Sequence, residues 1–123
     1  MKSRKWMVAA VLLVALAVIT AGCKDKKFGM YKSIVITEEG YTEMAKGTIQ
    51  LYKDGKITEA EYDQLKATGK KVELAINSAK LALRLYVSFE DDTHYTELVS
   101  AVSQMMQLFE QFRAQFVAKG GAA

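Results

Sequence analysis

The sequence predicts an all-α protein: an antiparallel three-helix bundle with a long central helix, preceded by an apolar signal helix that is cleaved. Three observations carry this. Beyond residue 36, apolar residues recur at alternating steps of three and four, the repeat of one helix face. Turn signals at Asp54-Gly55 and at Glu90-Asp91-Asp92-Thr93 divide that pattern into three runs. Proline is absent, which excludes a proline-rich linker between them. At 123 residues the chain has room for a single domain.

The first segment is a signal. Lys2, Arg4 and Lys5 precede an apolar run from Trp6 to Ile19, and the small residues Ala21 and Gly22 precede Cys23. That order is secretory signal architecture. A spanning helix needs about 20 apolar residues to cross ~30 Å of hydrocarbon, and the stretch from Trp6 to Gly22 is shorter and contains Thr20 and Gly22. It inserts, but it is short for a permanent anchor.

The residues Ile19-Thr20-Ala21-Gly22-Cys23 resemble the lipobox of bacterial lipoproteins, with Thr20 where that family most often has Leu. The resemblance implies cleavage between Gly22 and Cys23, so that residues 1–22 are removed. It also implies a covalent diacylglyceryl group and an N-acyl chain on Cys23, with no other cofactor expected. Acyl burial contributes ~0.8 kcal/mol per methylene, so several chains hold where one does not. In that family an Asp after the cysteine retains the protein in the inner membrane of some bacteria. Lys24 stands there instead, so the resemblance favours an outer-membrane, periplasm-facing location.

Residues 23–36 read as the lipidated cysteine and a tether, charged at first and apolar at its end. Thr37 then reads as a helix N-cap, with Glu38 and Glu39 in the first turn where the macrodipole favours acids. Ile36 and Tyr41 stand at the positions of a hydrophobic staple. The first helix is expected over about 38–53, with Tyr41, Met44, Thr48 and Leu51 on its apolar face. Gly40 and Gly47 share a face two turns apart. Each costs up to ~1 kcal/mol relative to Ala, which calls for a close approach by another helix or a ligand.

Thr58 and Glu61 form a capping box, and Ile57 with Tyr62 a second staple. The stretch from Gly55 to Leu65 also resembles the Gly-x-Ile-Thr-x-x-Glu-Phe/Tyr turn of short bacterial SHOCT-type oligomerisation domains, which implies a helical hairpin. An EF-hand register would place Gln50 and Tyr52 at ligand positions, so calcium is not expected. The second helix is expected over about 59–88, with Tyr62, Leu65, Gly69, Val72, Ile76, Ala79, Leu83 and Tyr86 as a heptad seam unbroken at Gly69. A second stripe, Leu74, Ser78, Leu81 and Leu85, predicts a second neighbour. The third helix, about 93–118, carries Tyr95, Leu98, Val102, Met105, Phe109, Phe112 and Phe116 and stops at Gly120-Gly121. The three-helix domain thus spans residues 37–119.

At 1.5 Å per residue these helices measure about 25, 45 and 37 Å. The first covers only half of the second, which leaves Leu81, Leu85 and Tyr86, with Tyr95 and Val99, short of a third wall. Residues 28–36 folding back, or another molecule, is expected to cover that end, and these five residues form the candidate partner or ligand surface.

Little in the sequence points to catalysis. The single His, His94, lies in a charged turn without a nucleophile elbow, and no phosphate-binding glycine loop occurs. Asp91 and His94 are three apart and make a weak metal candidate, short of the ligand set of a dimetal bundle. Lys2, Arg4 and Lys5 carry the whole net charge of +3, so the mature chain is neutral and no nucleic-acid partner is expected. The expectation is a non-enzymatic, lipid-anchored interaction or structural module with a protein partner or self-association. The alternative is a periplasmic carrier holding an apolar or lipid-like ligand through Leu81, Leu85, Tyr95, Met105 and Phe109.

Overall fold

A computed structural model of the chain describes residues 26–122. The signal segment and Cys23 lie outside the described residues. Three helices, α1 (Lys26–Lys53), α2 (Glu59–Phe89) and α3 (Asp92–Ala118), run antiparallel in chain order and pack against one another. The described residues contain no strand. The α2–α3 interface is the most extensive, and α1 lies more against α2 than against α3.

The start of α1 corrects the sequence reading. The helix begins at Lys26 and is 28 residues long, so the tether is helical from that residue on. Thr37 is buried inside α1 instead of capping it, and Ile36 is half exposed, not stapled. The physical reason is a heptad seam. Met30, Ile34, Thr37, Tyr41, Met44, Thr48 and Leu51 follow each other at alternating steps of four and three, and all but Tyr41 are fully buried. Burying Met30 and Ile34 contributes about 1.5–3 kcal/mol each, more than the ~1 kcal/mol an N-cap would supply at Thr37. With 28, 31 and 27 residues, the helices measure about 42, 46 and 40 Å. The length mismatch disappears.

The Asp54-Gly55 turn is as expected, with Gly55 at φ +70, a value glycine adopts without a Cβ penalty. The capping box at the start of α2 is complete: Glu61 N–H donates to Thr58 Oγ1 at 3.1 Å, and Thr58 N–H donates to Glu61 Oε1 at 3.0 Å. α2 passes through Gly69 unbroken. Its seam residues Leu65, Val72, Ile76 and Ala79 join Leu98, Val102, Met105, Phe112 and Phe116 of α3 in one core.

The second stripe of α2 does not find its neighbour. Leu74 and Leu81 are 57% and 54% exposed, because α1 and α3 both pack on the wide seam and leave the stripe at the surface. The close approach expected at Gly40 and Gly47 comes from α3. A Cβ on Gly40 would lie 2.9 Å from Cζ of Phe109, and one on Gly47 would lie 2.5 Å from Cζ of Phe116.

Candidate functional site

The end of the bundle at which α1 begins gathers the α1 N-terminus and the α2–α3 turn. Phe89 ends α2, and Glu90 follows in the left-handed region at φ 51, ψ 33, its N–H donating to Tyr86 O at 2.8 Å. Two residues suffice for the turn because Asp91 then caps α3 by accepting from His94 N–H at 2.7 Å. An ion pair between Lys27 and Glu90 ties the first turn of α1 to this corner.

His94 and Asp91 meet as their spacing predicts, Nδ1 to Oδ1 at 2.6 Å. The backbone N–H of His94, and then its ring, hold the Asp91 carboxyl below its ordinary pKa. The His94 ring also stacks on Phe89, with centroids 4.7 Å apart. Cap, ring pair and stack are the contacts these two residues make. Among the described residues no group of three or more His, Cys, Asp and Glu is placed to hold an ion.

The five-residue surface at this end is partly covered. Tyr86, Tyr95 and Val99 pack against the core, with the Tyr86 and Tyr95 rings 5.4 Å apart. Leu85 is half-buried, and only Leu81 stands open. Met30 and Ile34 of α1 join the same core.

Of the residues named for a carrier, Leu81, Leu85, Tyr95, Met105 and Phe109, none lines either of the two grooves described below. Met105 is fully buried, and Phe109 rests on Gly40. An open groove of about 320 Å³ lies elsewhere between α2 and α3, lined by Lys71, Leu74, Ala75, Ser78, Ala101 and Gln104, with Leu108. A smaller one of about 150 Å³ lies between α1 and α2 beside Tyr41, Thr48, Tyr62 and Phe112. Burial, and then the neighbouring Glu73, raise the pKa of the Tyr41 phenol there.

Two features escape sequence reasoning. Arg113 is buried on α3, its Nη1 donating to Glu110 Oε1 at 3.3 Å while Nη2 has no partner. Its position, four residues after Phe109 and three before Phe116, is the signal that it faces the packed side. The second feature is a set of exposed apolar side chains at the end where α1 begins: Phe28, Tyr31, Val87 and Phe89 are 64%, 56%, 49% and 61% exposed. No helix among the described residues is long and apolar enough to cross a membrane.

Comparison with protein-family models, with curated proteins and with solved structures finds no match to this chain.

Proposed function

We propose that the protein is a lipid-anchored module of a bacterial envelope, held by acyl chains on Cys23 and acting through contacts of its bundle with a protein partner or with further copies of itself. One observation carries the reading: the lipobox-like Ile19 to Cys23 ends three residues before α1 begins. Three residues span at most about 11 Å, so an acyl group on Cys23 holds the folded bundle directly at a membrane face. Lys24 after the cysteine favours the outer membrane.

Intact mass of the protein purified from bacterial membranes tests it. The expected mass is that of a chain starting at Cys23 with a diacylglyceryl and an N-acyl group, and Cys23→Ser is expected to accumulate unprocessed. A full-length chain with a free thiol overturns the reading.

The groove between α2 and α3 favours a second reading, the carrier, since about 320 Å³ reaches the lower range of small-molecule sites. Native mass spectrometry reads it: a stoichiometric apolar adduct lost in a Leu108→Glu variant supports the carrier, and an adduct-free protein argues for the module.

A further inference from the structure

We infer that the Cys23 end of the bundle is a membrane seat: Phe28, Tyr31, Val87 and Phe89 enter the interfacial layer of the leaflet that holds the acyl chains, so the bundle stands on its end. The inference rests on the lipid-anchor reading and adds the contact surface and the orientation to it.

Chain geometry is the first support. α1 starts three residues after Cys23, a reach of at most about 11 Å, so this end cannot leave the membrane surface while the acyl chains stay in it. Placement is the second. Phe28 and Tyr31 are two and five residues into α1, while Phe89 and Val87 stand at or near the last position of α2. All four therefore lie within about 8 Å of the end along the helix axes, which matches the ~5–10 Å an interfacial side chain sinks into the headgroup and acyl boundary. Tyr31 suits this layer, its ring apolar and its hydroxyl wet, and Phe28 and Phe89 are of a type found on the lipid-facing side of interfacial helices.

Charge is the third support. Two of the corner's three acids have partners. Glu90 pairs with Lys27, and Asp91 accepts from the His94 backbone and ring. Asp92 lies in the first turn of α3, where the macrodipole favours it. The end thus presents apolar rings beside one ion-paired acid and two acids held at a helix N-terminus, and the seat rests on the rings and needs no anionic lipid.

The test uses a tryptophan probe. Trp6 is the only tryptophan and leaves with the signal segment, so Phe28→Trp and Leu74→Trp each carry a single probe in the acylated protein. The acylated proteins are placed in phosphatidylcholine vesicles containing brominated acyl chains. Leu74 lies 15 residues before the end of α2, about 22 Å away, and serves as the water-exposed reference. Emission from Phe28→Trp is expected to shift to the blue and fall by roughly half, as for a ring ~5–10 Å into the interface, while Leu74→Trp stays unquenched. Raising the salt to about 1 M, where the Debye length is ~3 Å, leaves the quenching unchanged.

Equal quenching at both positions means a bundle lying on its side and overturns the seat. An unquenched Phe28→Trp on a protein whose mass shows acylation overturns the seat and leaves the anchor standing. A blue shift that grows with protein concentration without vesicles assigns this end to a second copy and overturns it too. A mass without acyl groups overturns the anchor, and the seat with it.

Discussion

Phe116 shows how closely single residues are fitted. Its ring lies against Gly47 of α1 and Gly121 after α3, where a Cβ would come within 2.5 and 2.4 Å of ring carbons. Boxed on both sides, the ring cannot yield to a methyl group. Gly47→Ala is expected to cost about 1–3 kcal/mol as overpacking, read as a lowered urea midpoint. Gly69 is the contrast. A Cβ there meets Phe112 at an ordinary 3.4 Å, so Gly69→Ala is expected to gain up to about 1 kcal/mol of helix propensity. The same measurement distinguishes them, and equal effects would refute the packing account.

Arg113 belongs at this scale as well. A buried guanidinium with one bond at 3.3 Å and an unpartnered Nη2 contributes little net stability. Arg113→Met is expected to be neutral or to stabilise by about 1–4 kcal/mol. Glu110→Ala, which strands the cation, is expected to cost about 1–3 kcal/mol. Denaturant melts of both variants decide the matter. Spacing alone places Arg113 beside the phenylalanines, but charge argues for solvent, and charge is the stronger cue in a sequence.

Among the elements, α2 is the most legible and α1 the least. The Thr58–Glu61 box and the Ile57 staple position are local chemistry, written in consecutive residues. The true start of α1 depends on Met30 and Ile34 meeting α2 and α3, a tertiary gain that outweighs the cap-like Thr37-Glu38-Glu39. The seam through Thr37 is visible once a threonine is admitted to it. Met30→Ala and Ile34→Ala are therefore each expected to cost about 2–5 kcal/mol, whereas Ile36→Ala, at an exposed position, stays within about 0.5 kcal/mol. Thermal unfolding by circular dichroism reads all three.

The cap of α2 also carries a pH dependence. A bond from Lys119, then the Thr58 N–H, lowers the pKa of Glu61 from its usual 4.5 to about 2. A carboxyl lowered in the folded state stabilises above its unfolded value, and that contribution disappears as pH falls through the folded one. The wild-type melting temperature is expected to drop between about pH 4.5 and 2 more steeply than that of Glu61→Gln. Superimposable profiles would remove Glu61 from the acid response.

For the whole molecule, three helices with two short turns follow from periodicity and capping, and the structure agrees. What the pattern does not decide is which of two stripes on α2 is covered. Leu74, Ser78, Leu81 and Leu85 repeat as regularly as the true seam, but only one side of a helix can meet two neighbours in a three-helix packing. The expected gap at Leu81 presumed a short α1, whereas α1 runs from Lys26 and Leu81 is 54% exposed. Leu81→Glu is expected to leave the unfolding free energy within about 0.5 kcal/mol. A loss of several kcal/mol in the same denaturant melt would mean that this side chain is covered in solution.

The Asp54–Ile57 turn lies at the far end of α1, about 42 Å from its first residue. On a chain held at residue 23 and standing upright, length becomes altitude. That hairpin tip would ride at a set elevation above the headgroups, like the head of a mooring post, and whatever grips it would be stationed at that height and no other.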